Sequence, residues 1–174
     1  MVRRKSATLP GICRIAALLF LALSCSKGDD AEAIRKLIGK GVALGEKHDI
    51  GELMKLATED FIALPGDLDR RSTRAILWRA FNYYGALKIV HPRPSMEVEP
   101  DGKRASAGLF FLILREDRSF PKLKDLSHDP KRWLEEVGEN ADLYRLDMEL
   151  AKESGRWLVR RAVLKRFTGW SFQE

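Results

Sequence analysis

The sequence predicts an α+β fold, with helices gathered in its first half and packed on an antiparallel sheet built from its second. Two observations carry this. Apolar residues recur at helical spacing as far as Tyr84, whereas from Leu87 onward the period shortens toward two, which is the spacing of strands. Turn residues such as Asp101-Gly102 and Ser154-Gly155 divide that second half into segments short enough to pair as hairpins.

Taken in order, Ala31 to Leu44 carries Ile34, Leu37, Ile38, Gly41 and Leu44 on one stripe. Asp29 or Asp30 supplies a cap and a negative charge at the helix start, and Gly45 supplies a stop. Asp49, with Glu52 three residues on, has the form of a capping box, and Leu53, Leu56 and Ala57 give the short second helix its inner face. Phe61 to Leu64 reads as a brief strand ended by Pro65-Gly66. A third helix runs from Asp69 or Ser72 to Tyr84, with Leu77, Ala80, Phe81 and Tyr84 on its stripe and Trp78 at the edge. Leu87 to His91 and Met96 to Glu99 read as strands around Pro92 and Pro94, residues that suit a sheet edge or bend. Lys103 to Glu116 is apolar on both faces, as a strand covered on both sides would be. Residues 117–140 interrupt the pattern with a small helix marked by Asp129, Pro130 and Gly138. Tyr144, Leu146, Met148 and Leu150 then alternate with Arg145, Asp147 and Glu149, and a last strand follows from Trp157 to Phe167.

Composition narrows the function. With 45% hydrophobic and 32% charged residues in 174, the chain is an ordinary globular protein rather than a disordered one. The pI near 9.4 is misleading, because Arg3, Arg4, Lys5 and Arg14 stand in a leader without acids. Setting those four aside from 31 basic residues leaves 27 against 25 acidic ones. So small an excess argues against a nucleic-acid partner. There is no CxxC, no HExxH, no histidine pair at ligand spacing and no phosphate-cradling glycine loop, so neither metal nor cofactor is expected.

The start of the chain reads as an export signal. A basic segment precedes the uncharged run Ile15 to Leu23, nine residues where a membrane-spanning helix needs about 20. It ends in Leu21-Ala22-Leu23-Ser24-Cys25, which resembles the lipobox of bacterial prolipoproteins, although Ala22 stands where Leu is commoner. The resemblance implies cleavage between Ser24 and Cys25, removal of residues 1–24 and acylation of Cys25. A polar tether over residues 25–30 and a single domain over 31–174 would remain. It further implies a membrane partner reached through acyl chains. Ser26, rather than Asp, points to the outer membrane facing the periplasm if the cell is Gram-negative.

The element order is similar to that of the nuclear transport factor 2-like superfamily, which includes ketosteroid isomerase and polyketide cyclases. Lys47-His48-Asp49-Ile50-Gly51-Glu52-Leu53, Glu59-Asp60-Phe61 and Gly155-Arg156-Trp157-Leu158-Val159 are the local points of likeness. The resemblance implies a cone, in which a curved sheet wraps the helices and leaves a pocket at its open end. Relatives often pair through the sheet, so a homodimer is admitted. Phe61, Trp78, Phe81, Tyr144, Met148 and Trp157 would line such a pocket.

Enzymes of that superfamily use an Asp or His base beside Tyr or His donors. His91 is the histidine placed to look into the cone, and Asp60 is the other candidate base; both types also occur as plain surface groups. His48 and His128 read as solvated. Tyr144 is the candidate donor, or a core ring with its hydroxyl at the rim. The basic strand Arg156 to Arg166 reads as pairing with Asp147 and Glu149 opposite. The resulting expectation is a non-enzymatic binding or assembly module of the envelope, its partner a small apolar ligand or an envelope protein. The alternative is a small proton-transfer enzyme of isomerase or dehydratase type that uses the cone.

Overall fold

The computed structural model describes residues 26–115, 141–167 and 172–173. The leader, Ser24, Cys25, His128 and the helix expected between Asp129 and Gly138 lie outside the described residues. Helix α1 (Ser26–Glu46), helix α2 (Ile50–Met54), strand β1 (Ala57–Leu64) and helix α3 (Arg70–Tyr84) come first. Strands β2 (Leu87–Val90), β3 (Ser95–Val98), β4 (Arg104–Arg115), β5 (Ala141–Glu153), β6 (Arg156–Phe167) and β7 (Phe172–Gln173) follow. The predicted α+β class is what the chain adopts.

The tether expected over residues 25–30 is corrected at its C-terminal end, since α1 begins at Ser26. Asp30 is not a cap but a buried residue inside the helix, 6% exposed. Its Oδ1 accepts hydrogen bonds from Lys152 Nζ at 2.5 Å and Trp157 Nε1 at 3.0 Å. These partners across the core satisfy the carboxylate and hold the first turns of the helix to the sheet. Ile34 and Ile38, one turn apart and 0% and 6% exposed, continue the same face. At the far end of α1 a Cβ on Gly45 would come within 3.2 Å of Ile89 Cδ1, so the missing side chain permits close approach to β2. There Glu46 Oε1 accepts the Ile89 amide at 2.9 Å, using a backbone donor that the strand would otherwise leave open.

Asp49 caps α2, accepting from the Glu52 amide at 3.0 Å. The reciprocal half of the capping box is absent, because Glu52 pairs with Lys55 instead. Strand β1 starts four residues earlier than expected. Asp69 caps α3 through the Ser72 amide at 2.7 Å, and Gly85 closes the helix at φ 62°.

The sheet runs β1-β6-β5-β4-β2, with β3 also on β4 and β7 on β6. Segments β2 and β3 are two halves of one edge: Leu87–Val90 faces Leu112–Arg115 and Ser95–Val98 faces Ala105–Gly108. The break between them falls at Pro92 and Pro94, which have no N–H to donate. Ser154 and Gly155 both take positive φ, 47° and 78°, as a two-residue hairpin turn requires. One expectation fails here, that of a purely antiparallel sheet. Strand β1 pairs parallel with β6, so the sheet is mixed. Hairpin turns force antiparallel neighbours, but no turn joins β1 to β6, and their direction is set by how α2 delivers the chain. Two β6 residues on either side of Arg160 oppose the adjacent Glu149 and Leu150, a bulge of the kind that bends a sheet.

Two apolar clusters fill the space between helices and sheet. The larger joins Ile34 and Ile38 to Ala105, Ala107, Leu109, Met148, Leu150 and Trp157. The smaller joins Met54, Ala57 and Phe61, with Leu77 and Val159 against it. Strand β4 is buried on its inner face only at this level, since Phe110 is 42% exposed on the other with the Arg145 guanidinium over its ring.

Candidate functional site

Strand alternation decides which side chains meet the helices. On β5 these are Asp142, Tyr144, Leu146, Met148 and Leu150. The register places Phe111 of β4 and Arg166 of β6 directly opposite Tyr144 on its two sides. Over this end of the sheet α3 delivers Tyr84 from its final turn.

The four polar groups form one network. Tyr84 Oη donates to Asp142 Oδ2 at 2.7 Å and lies 2.8 Å from Tyr144 Oη. Arg166 Nη2 donates to Asp142 Oδ1 at 2.5 Å. A hydroxyl has one proton, so with Tyr84 giving its own to the carboxylate, Tyr144 must donate to Tyr84. The chain of donors therefore ends on Asp142. Phe111 and Tyr144 stack with centroids 5.5 Å apart. The Arg115 guanidinium lies 4.6 Å from the Tyr83 ring centre and 5.5 Å from that of Tyr84, within cation–π range.

Burial chiefly, then the bonds to Tyr144 and Asp142, pushes the Tyr84 phenol far above its ordinary value. The bond to Asp142 likewise raises the Arg166 guanidinium. Tyr84 is thus held as a protonated donor at neutral pH. A raised phenol contributes stability that is complete below the unfolded value, about 10, and is lost as pH rises beyond it. In a spectrophotometric titration of the tyrosinate band, one phenol of the wild type is expected to resist ionisation until unfolding. Tyr84→Phe should remove that late component and cost about 1 kcal/mol for the lost hydrogen bonds. An unchanged late component in Tyr84→Phe would contradict the network.

Of the residues singled out in the sequence, Tyr144 is in this site and Phe81 adjoins it, one turn before Tyr84. His91 lies outside: its Nδ1 is 2.8 Å from the Pro92 carbonyl, at the end of β2. Asp60 also lies outside. It follows the alternation of β1 opposite to buried Phe61 and pairs in solvent with Arg160 at 3.0 Å. Phe61 and Met148 belong to the packed clusters. Trp78, read as a pocket-lining residue, is 63% exposed, because it is rotated off the stripe of Leu77 and Phe81 toward solvent. Trp157 does not neighbour Tyr144. The hairpin register sets it opposite Lys152, eight residues along β5 from Tyr144 and so about 26 Å away. His48 is not a solvated turn residue. Its left-handed φ of 55° folds the ring flat against Phe81, at 4.6 Å and 8°, and its buried Nε2 lacks a partner.

Sequence reading missed Tyr84, Asp142, Arg166 and Arg115. Asp142 stands two residues before Tyr144, the spacing that puts both on one face, and that signal was available. The basic last strand pairs as expected only in part: Arg161 meets Glu149 at 4.0 Å, whereas Arg160 meets Asp60 and Arg166 meets Asp142. On the outer sheet face a shallow depression of 290 Å³ includes Ser95, Gly108, Arg145 and Asp147, and there Arg145 pairs with Asp147 at 2.9 Å. Among the described residues no group of three His, Cys, Asp or Glu could hold a metal, and no helix is long and apolar enough to cross a membrane.

The architecture is shared with solved proteins of the nuclear transport factor 2-like, cystatin-like class. An NTF2-like protein with a cystatin-like fold from Novosphingobium aromaticivorans is 18% identical, with a TM-score of 0.59 over 94% of this chain and 95% of its own. A proposed scytalone dehydratase from the same organism is 13% identical, with a TM-score of 0.61 over 82% of this chain and 87% of its own. An NTF2-like protein of unknown function from Pseudomonas putida KT2440 is also 13% identical, with a TM-score of 0.61 over 84% and 93%. At these identities the likeness is one of fold. No protein-family model and no curated protein matches the sequence.

Proposed function

We propose that this chain is a lipid-anchored, periplasm-facing binding protein of the bacterial envelope. Its cone takes a small ligand with the polar end at the rim of Tyr84, Tyr144 and Asp142. The observation that carries this reading is the closed network of Tyr84, Tyr144, Asp142 and Arg166 on the helix-facing side of the sheet. Asp142 accepts from both Arg166 and Tyr84, and Tyr144 spends its proton on Tyr84, so the resting site holds shape and polarity rather than a free base. Phe111 and Tyr144 add an aromatic wall beside it. The second reading, a proton-transfer enzyme of isomerase or dehydratase type, is favoured by two phenols converging on one carboxylate. It shares its fold with the proposed dehydratase from Novosphingobium aromaticivorans.

The anchor rests on the lipobox ending at Cys25. Because α1 is helical from Ser26 and bonded to the sheet at Asp30, an acylated Cys25 would hold the Trp157 end of the cone against the bilayer. The Tyr84–Tyr144 end would then face away from it. Cys25→Ser is expected to move nearly all the protein from the membrane to the soluble fraction or to leave it as an unprocessed precursor, since two or three acyl chains supply the attachment. Retention of mature Cys25→Ser protein in the membrane would exclude the anchor. Native mass spectrometry of the detergent-extracted chain tests the cone. A small molecule retained intact and released on denaturation supports binding, whereas its conversion on incubation supports the enzyme.

A further inference from the structure

Helix α3 is cationic and turns part of its charge outward. It carries Arg70, Arg71, Arg74 and Arg79, with no Asp or Glu between Arg70 and Tyr84. Arg70 is spent on the fold: its guanidinium donates to the Met54 carbonyl at 2.9 Å and pairs with Glu59 at 2.6 Å. Arg71, Arg74 and Trp78 are exposed. Spaced three and four residues apart, they share one stripe, turned away from Leu77 and Phe81, which pack inward. Beside the stripe lies a cavity of 530 Å³ lined by Met54, Glu59, Asp69, Arg70, Arg71 and Arg74. Its carboxylates are already engaged, since Asp69 caps α3 and Glu59 holds Arg70. The same end of the domain is where the chain enters. Arg70 also reaches the Thr58 carbonyl at 3.4 Å, next to Ala57, which pairs with Val159, two residues beyond Trp157. Trp157 in turn donates to Asp30 in the first turns of α1. Arg71 and Arg74 therefore lie toward the end at which α1 begins, whereas Tyr84 lies about 15–20 Å further along α3.

We propose that the first half of α3 docks on an anionic phospholipid surface, with Arg71 and Arg74 on headgroup phosphates and the Trp78 ring in the interfacial layer. This rests on the reading of the chain as lipid-anchored, which brings a bilayer to this end of the domain. Such a surface complements both residue types. Phosphate oxygens attract the guanidiniums, and an indole settles where one side is apolar and the other wet. A single free phosphate fits less well. The Ser72 amide of the first turn is already taken by Asp69, and Arg71 and Arg74 spread along the helix in solvent rather than closing on a point. The outer sheet face offers no such stripe, since Arg145 meets Asp147 and Arg161 meets Glu149 there.

Tryptophan quenching tests the docking, using the full chain as extracted from its membrane and reconstituted in vesicles. The quencher is phosphatidylcholine brominated high on its acyl chains, and the share of Trp78 is the difference between wild type and Trp78→Phe. In phosphatidylcholine with an equal part of phosphatidylglycerol, Trp78 is expected to be quenched. In phosphatidylcholine alone the docking equilibrium should be about thirtyfold weaker, the factor that two arginines at an anionic surface supply. Joint Arg71→Gln and Arg74→Gln substitution should weaken it as much in the mixed bilayer, as should ~1 M salt, where the screening length is about 3 Å. Joint Arg71→Lys and Arg74→Lys substitution should keep most of the quenching, because a headgroup layer reads charge rather than the guanidinium fork. Trp78 left unquenched in the mixed bilayer, or quenched equally in both bilayers, would overturn the docking. So would loss of the contact to millimolar inorganic phosphate, which would mark a closed phosphate site instead. Flotation in the same salt reports the anchor separately. An acylated chain stays with the vesicles whether or not α3 docks, whereas release there would sink the anchor and leave the quenching in low salt to decide the docking.

Discussion

Trp157→Ala is expected to destabilise the domain by about 3–5 kcal/mol, as large-to-small changes of buried aromatics do. Trp157 is 5% exposed within the larger cluster, alongside Ile34 and Leu150. Its indole N–H also supplies one of the two donors to Asp30, and Lys152 lies over its ring at 5.6 Å. Truncation therefore opens a cavity and strips a partner from a buried carboxylate at the same time. For a domain of this size the melting temperature should fall by roughly 6–20 °C. Trp157→Phe separates the two contributions, because it retains most of the volume and loses only the donor. It should cost about 1–3 kcal/mol. Urea denaturation of both variants is the check; equal losses in the two would mean that packing at this position contributes little.

The second large effect is expected at Asp30. Asp30→Asn should cost about 2–3 kcal/mol at pH 7, since it leaves Lys152 without its counter-charge and weakens the bond from Trp157. The Lys152 ammonium chiefly, and Trp157 after it, holds the Asp30 carboxyl below the usual range, against the opposing effect of burial. A depressed carboxyl contributes stability that is present above its unfolded value, about 3.9, and is lost as pH falls through the folded one. Denaturation midpoints of wild type and Asp30→Asn should thus be well separated at pH 7 and at pH 5 and converge below about pH 4. A gap as wide at pH 3 as at pH 7 would show that the ionised carboxylate is not its source. The pair is also suited to a double-mutant cycle with Lys152→Met, where contacting residues should fail to add. Both effects act at the point where α1 enters the fold, so they measure how firmly the domain is held to whatever precedes Ser26.

How much of this was legible beforehand varied with the range of the interaction involved. Capping by Asp49 and Asp69, the stop at Gly85 and the Ser154-Gly155 turn depend on residues within four positions, and they appear where the sequence puts them. The inner face of β5 was legible for the same reason, because a period of two is a property of the strand itself. Asp30 was misread as a cap or tether residue. Local sequence shows only an acidic side chain near a helix start, while its partners, Lys152 and Trp157, come from the other end of the chain. His48 was misread because its left-handed backbone, not its neighbours in sequence, turns the ring onto Phe81. His91 and Asp60 were weighed as bases from residue type and strand position alone. The alternation of β1 sends Asp60 outward, and His91 stays against Pro92.

By itself, the sequence determined the α+β class, the order of helices and strands, the hairpin turns, and Tyr144 on an inward face. Each follows from dihedral preference and apolar period, which act over a few residues. Only the tertiary structure decided that β1 runs parallel to β6, that Asp30 locks the first helix to the last hairpin, and that Tyr84, Asp142 and Arg166 converge around Tyr144. Those outcomes depend on register between strands far apart in the chain, where one step of two residues exchanges every cross-strand partner while the apolar pattern stays the same.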